Sequence, residues 1–200
     1  MPEVILDGEP VRFEGPVPES PKVLHDAMFE ALAGDRKSLI EYIVDGQDCL
    51  VVAEELFPTS YEKVEAKSAT HDELLTRLVS GALETNPALI PELQAYSSKI
   101  LVVAWSEIFR QMDEFIGKVK PLVDLMDNLQ PYAMSYSPEW KDAYLDFQKK
   151  HQVVFEQLFK CFQRGDVATL SDVVDSELLP LFEKTLEFLN KSVLEDLKAA

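Results

Sequence analysis

Residue types that can do chemistry are sparse and scattered in this 200-residue chain. It holds three histidines, two cysteines and seven glycines. A di-iron or zinc centre in a helical protein needs Glu-x-x-His on two helices, so that carboxylate and imidazole meet one ion. No Glu-x-x-His occurs, and His25, His71 and His151 lie far apart in sequence. Nucleophilic catalysis needs a nucleophile beside a base. Cys161 lies ten residues beyond His151, which on one helix is about 15 Å at a rise of ~1.5 Å per residue. Cys49 has no base within its own stretch. The glycines build neither Gly-x-Gly-x-x-Gly nor a phosphate loop. Glu54-Glu55 are adjacent and so diverge, and Asp45-Gly46-Gln47-Asp48 lacks the ligand spacing of a calcium loop and reads as a turn. The expectation is a non-enzyme with no cofactor and no metal.

Three places remain where side chains can meet a partner or ligand. The segment Asp127–Ser137 concentrates Leu129, Tyr132, Met134 and Tyr136 around Pro131. Read as a loop, it either caps one end of a bundle or docks a protein. His151 lies on an apolar seam between Phe147 and Val154. It is expected as a core-edge histidine bonded to a nearby carbonyl or carboxylate, or as a pH-sensing or ligand-binding group beside Tyr144. A strand near Tyr61–Ala66, if at a sheet edge, can accept a peptide strand, although Lys63 and Glu65 would discourage that pairing.

Positioning these groups requires two kinds of element. Before about residue 70 apolar residues alternate and turns are dense; after it they recur every three or four positions, the signatures of strands and amphipathic helices. Val4–Leu6 and Val11–Phe13 flank Asp7-Gly8, a hairpin signal. Ser20-Pro21 opens a helix and Gly34 ends it. Ser38–Val44 and Cys49–Ala53 read as strands around Asp45-Gly46, with Ile40, Tyr42 and Val44 sharing a face. Tyr61–Ala66 is a weaker third. Thr70-His71-Asp72-Glu73 is a capping box. Beyond Asn86-Pro87, apolar residues from Leu89 to Met126 predict one long helix of about ten turns, kinked or split at Pro121. A second stripe of Leu101, Trp105 and Phe109 widens its apolar face. Further helices start at Ser137-Pro138 and, after Gly165, at Asp166, with a bend at Pro180.

The predicted fold is α+β: an N-terminal β-grasp-like sheet crossed by one helix over residues 1–68, then an antiparallel bundle of three to four long helices over 69–200. Charge narrows the partners. The chain carries 36 acids against 19 bases, a formal charge of −17, shared by both halves. Such a field repels nucleic acid and anionic membrane surfaces. With no signal peptide, no spanning segment and two widely separated cysteines, a cytoplasmic setting is expected. The leading expectation is a protein-interaction module of adaptor or assembly-chaperone type, with homodimerisation open. The alternative is a small-ligand or metal-binding protein with a site between sheet and bundle, where His151, Tyr144 and a glutamate converge. An aromatic-rich open groove would favour the first, convergent carboxylates around His151 the second.

Overall fold

A computed structural model describes residues 2–53 and 56–199; the Glu54-Glu55 pair lies outside the described residues. The chain divides into two compact units, one ending at Leu74 and the other starting at Leu75.

The first unit is a five-stranded mixed sheet with one helix. β1 (Glu3–Leu6) and β2 (Glu9–Pro10) form an antiparallel hairpin, and α1 (Pro21–Gly34) follows. Then come β3 (Lys37–Val44), β4 (Gln47–Asp48) and β5 (Lys63–Thr70), in the sheet order β2-β1-β5-β3-β4. β1 runs parallel to β5, and β3 antiparallel to it, which is the β-grasp arrangement. Both hairpins turn on Asp-Gly with positive φ at each residue, 53° and 87° at Asp7-Gly8 and 48° and 86° at Asp45-Gly46. This backbone twist matches the flanking strands. The same aspartates tie down the two ends of β5. Asp7 accepts from the Ser68 amide and hydroxyl at 2.7 and 2.6 Å, and Asp45 accepts from the amides of Glu62 and Lys63 at 3.1 and 2.7 Å. Leu24 and Met28 of α1 pack with Val4, Tyr42, Val44, Val64 and Ala66 in the core of this unit.

Several local expectations need correction. β5 is the central strand, so Tyr61–Ala66 offers no free edge for β-augmentation. Cys49–Ala53 is not a strand. Cys49 adds one ladder bond to Tyr42 (2.8 Å), and then the Asp48 carboxylate captures the Leu50 amide at 3.0 Å and turns the chain away. Val11–Phe13 likewise lies beyond the short β2. A register shift between Leu39 and Glu41 puts Leu39 against the core with Tyr42 and Val44, while Ile40 is left 37% exposed; a bulge inverts the alternation on one side of itself.

The second unit is helical. α2 (His71–Thr85) opens with the capping box: the Glu73 amide donates to Thr70 Oγ1 at 3.1 Å and the Thr70 amide to Glu73 Oε2 at 2.9 Å. A 3₁₀ turn (Asn86–Ala88) leads into α3 (Leu89–Lys99). The helix predicted to run on to Met126 is broken here. Residues 100–104 turn, and α4 starts afresh at Trp105 and runs to Tyr136. It passes through Pro121 and Pro131 without ending, so Pro121 does not split it. Asp127–Tyr136 is therefore helix and not loop. Ser137, at φ 48°, stops it. α5 (Lys141–Arg164), with Trp140 as its N-cap, starts three residues beyond the predicted Pro138. Gly165 at φ 62° closes α5, and Asp166 accepts from the Thr169 amide at 3.1 Å to open the next helix. That last helix is continuous over α6 (Val167–Val173), α7 (Leu179–Phe188) and α8 (Glu195–Ala199), joined by π-helical turns at Val174–Leu178 and Leu189–Leu194. The first π turn sits directly before Pro180, where the missing amide would otherwise leave a gap in the α ladder.

Candidate functional site

α4 carries two buried stripes. Ile108, Phe115, Leu122 and Leu129 form one, and Met112, Val119, Met126 and Ala133 the other. Each repeats every seven residues, as a helix packed on its neighbours requires. A third stripe at the same interval, Phe109, Ile116 and Val123, is solvent-exposed. α5 has a comparable row, Gln148, Gln152, Phe155, Phe159 and Phe162, at alternating steps of four and three. Its Phe155 and Phe159 are exposed too. Ile116, Val123 and this α5 row face each other across a cleft of about 860 Å³, floored by Leu178, Leu181 and Phe182 of the C-terminal helix. The ring of Phe109 packs edge-on against Phe162 at 5.7 Å.

Contiguous apolar side chains that remain in water along a concave surface are uncommon on soluble proteins. The exposure is large where it matters: Ile116 is 54% and Phe159 62% accessible. Polar groups in the lining are few. They are His151, Gln148, Gln152 and Lys149 from α5, with Lys120 and Asp127 from α4. Lys120 is engaged by Asp124 at 2.6 Å.

His151 is the half-buried imidazole of the cleft wall. Its Nδ1 lies 2.9 Å from the Phe147 carbonyl, which only accepts, so Nδ1 carries a proton and donates. Its Nε2 lies 3.1 Å from Thr185 Oγ1, and that hydroxyl lies 2.8 Å from the Leu181 carbonyl. Neutral His151 accepts the Thr185 proton at Nε2. Protonated His151 donates to Oγ1, and the hydroxyl proton turns to Leu181. Hydrogen bonding is complete in both states, so burial decides between them, and it holds the imidazole pKa below its usual value against the opposing pull of the Phe147 carbonyl.

Tyr144 is fully buried and turned away from the cleft. Its hydroxyl donates to the Met126 carbonyl at 2.7 Å and accepts from the Gln148 side chain. Burial pushes its pKa up to about 12. Tyr144 and His151 thus share a helix face but serve different partners, and no glutamate lines the cleft beside them. The predicted aromatic patch also divides. Leu129 is fully buried. Tyr132 stacks on Trp140 at 6.0 Å and meets Tyr136 edge-on at 4.7 Å. Met134 alone of the four is an exposed apolar side chain. Leu129 and Tyr132 join the core at the end of α4, Tyr136 packs on Tyr132, and Met134 faces water apart from them.

No family model, characterised protein or solved structure matches this chain. Its chemistry has to be read from the molecule itself.

Among the described residues, no three His, Cys, Asp or Glu side chains gather closely enough to hold a metal ion. Cys49 and Cys161 are buried, and burial raises both thiol pKa values above the ordinary one, which makes them poor nucleophiles at neutral pH. His71 is hydrogen-bonded to Ser38 Oγ at 3.1 Å, and His25 is wedged edge-on between Tyr42 and Phe57. No described helix is long and apolar enough to cross a membrane. Ile116, Val123, Phe155 and Phe159 went unremarked in the sequence. The signal was there, in apolar residues seven apart on α4 and four apart on α5, just off the buried seam.

Proposed function

We propose that this chain is a non-enzymatic protein-interaction module of adaptor or assembly type, working in the cytoplasm, whose binding surface is the α4–α5 cleft of its helical unit. One observation carries the reading: a trough walled by apolar side chains that the fold leaves in water, Ile116 and Val123 on one side and Phe155 and Phe159 on the other. Leaving them partly exposed forfeits a share of the roughly 1.5–3 kcal/mol that full burial of each would contribute, and covering the trough recovers it. The absence of any grouped nucleophile, base or ligand set in the lining turns the cleft toward recognition. Two widely separated buried thiols suit a reducing compartment.

The test is a photo-crosslinker, p-benzoylphenylalanine, placed in the living host at Ile116 in the cleft and, as a control, at the exposed Glu183. A polypeptide adduct formed at 116 and absent at 183 is the expected result, reproduced with the purified partner. Adducts equally abundant at both sites would defeat the proposal. So would native mass spectrometry showing a small amphiphile bound in the cleft with no polypeptide captured. That second outcome would install the small-ligand reading, to which a volume within the ~300–1,000 Å³ range of ligand pockets gives some weight.

A further inference from the structure

Two neighbouring strands of the first unit differ sharply in length. β3 has eight residues, and its outer neighbour β4 has two. β4 pairs with Ile43 and Val44, and Cys49 adds the bond to the Tyr42 carbonyl. There the Asp48 carboxylate turns the chain away, so Lys37–Glu41 has β5 on one side and no strand on the other. Strand geometry says which backbone groups this leaves open. In an antiparallel pair every second residue bonds across the ladder. The Arg36 carbonyl accepts from the His71 amide at 2.9 Å, and Ser38 lies opposite Ala69, so Arg36 and Ser38 bond inward. Lys37 and Leu39 alternate with them and direct their N–H and C=O groups outward. Among the described residues no backbone bond reaches those outward groups. The opposite edge of the sheet is blunted, because β2 has two residues and one of them, Pro10, has no N–H.

An exposed aromatic stands beside the open stretch. His25 of α1 meets Tyr42 of β3 edge-on at 5.2 Å, and Phe29, one turn later, stacks on His25 at 6.5 Å. α1 leads through Asp35-Arg36 back into β3, so the turn after His25 is level with the residues before Tyr42. Leu39 and Tyr42 pack on the α1 side of the sheet, yet Phe29 is 55% exposed. A strand laid along β3 alternates its side chains between the two faces, and one on the α1 side meets Phe29. Outward backbone groups call for an extended chain, and the aromatic beside them calls for an apolar residue in it. A second copy of the same edge is disfavoured. The bulge at Ile40 twists the strand and Lys37 sets a charge on it, which deters a rigid edge while a flexible segment can follow the twist.

We propose that the open half of β3 accepts an extended segment of a partner protein as an added strand, with an apolar residue of that segment packed on Phe29. Main-chain bonds to Lys37 and Leu39 hold the segment, and the contact with Phe29 selects its side chain. The site lies in the first unit and goes beyond the reading of the α4–α5 cleft, on which it does not depend.

The probe is the peptide Lys-Val-Thr-Val-Thr-Val-Thr-Val-Lys. Its comparison is the same peptide N-methylated at every valine and threonine, which keeps side chains and charge and removes the ladder donors. Amide hydrogen exchange of the full chain is read residue by residue by NMR. In the free protein the outward amides of Lys37 and Leu39 should exchange at least tenfold faster than the inward amide of Ser38. The parent peptide at millimolar concentration should slow both at least tenfold, and the N-methylated peptide should not. Phe29→Asp should weaken peptide binding at least tenfold, while Ile116→Glu in the cleft should leave it unchanged. Both replace side chains already exposed in the free protein, so the fold should survive them. Slow exchange of Lys37 and Leu39 in the free protein overturns the proposal, since the edge would already be covered. So does a lack of protection at millimolar peptide, or equal protection by the N-methylated peptide. Binding that Ile116→Glu abolishes and Phe29→Asp does not would seat the peptide in the cleft and overturn it too. A dimer in light scattering that protects the same two amides would make a second copy the occupant, with the same consequence. Failure of crosslinking at Ile116 bears on the cleft alone and leaves these readings unchanged.

Discussion

At residue scale the informative side chain is His151, because its two nitrogens are served in either protonation state while its surroundings are not neutral on the matter. Burial disfavours the imidazolium, so the folded pKa lies below the value of about 6.5 expected when unfolded. The sign follows from proton counting. Between the lowered folded value and 6.5 the unfolded chain binds more protons, and stability falls as pH drops through that window. Above it both states are neutral and the group contributes no slope. The urea midpoint of the wild type should therefore decline on acidification from pH 7.5 to 5.5, and His151→Gln should flatten part of that decline. Equal slopes would show that His151 is not the group responsible. Other titratable groups that line the cleft are Lys120 and Asp127 from α4 and Lys149 from α5, while Leu181 and Phe182 of α7 bring none. Lys120→Met and Asp127→Asn thus make the proper controls. Thr185 is fully buried and supplies the acceptor for Nε2–H. Thr185→Val keeps its shape and removes a bond from both protonation states, but the charge-assisted bond to the imidazolium is the stronger, so the His151 pKa should fall further, read from the pH dependence of its ring resonances. An unchanged or raised value would mean that the hydroxyl stabilises the charged form no more than the neutral one. Such a change costs about 1–3 kcal/mol where a buried polar group is left unmatched.

At the scale of elements, α4 shows how local rules and packing compete. A proline inside a helix removes one ladder bond and crowds the carbonyl four residues earlier, at a cost of about 3 kcal/mol. Pro121 breaks nothing because its ring sits on the solvent side, while Val119, Leu122, Leu125 and Met126 around it are buried, each worth roughly 1.5–3 kcal/mol. The Gly117 carbonyl that it leaves without a helical donor belongs to another weak helix former, and a Cβ at Gly117 would meet only open space. Pro121→Ala should therefore stabilise the protein by about 1–3 kcal/mol and Gly117→Ala by up to about 1 kcal/mol, measured by urea unfolding. A loss of stability in Pro121→Ala would mean that the proline's own packing matters more than the restored bond. The same competition explains what could be read in advance. The Asp-Gly turns, the capping box, the Gly165 stop and the period switch near residue 70 are set by neighbours in sequence, and they were legible. The turn at 100–104 was not. It contains no glycine or proline, and the four-residue spacing from Tyr96 through Ile100 to Ile108 carries across it unbroken. What marks the turn is the β-branched run at Val102-Val103, with the Tyr96 hydroxyl reaching the Ile108 carbonyl at 3.2 Å on its far side. Asp127–Tyr136 erred the other way, since Pro131 and the polar residues beside it looked like a loop whose helix is held by the burial of Leu129 and Ala133. The cleft was hidden for a third reason: a sequence shows that a stripe is apolar, but only the placement of every other helix shows that it has been left uncovered.

At the scale of the molecule, the 36 acids and 19 bases set two responses to salt that run in opposite directions. Folding gathers the uncompensated negative charges, so screening them should stabilise the folded state. Against this stands the loss of the surface ion pairs, such as Lys191–Glu187 and Arg110–Glu107, which salt also screens. Exposed pairs of this kind are worth only about 0–1 kcal/mol each, and most join residues three or four apart in one helix, so their effect is local and small. Net repulsion should win, and Tm should rise as NaCl increases from 20 to 150 mM, where the screening length falls from tens of ångströms to about 8 Å. A falling Tm would mean that the pairs outweigh the net charge.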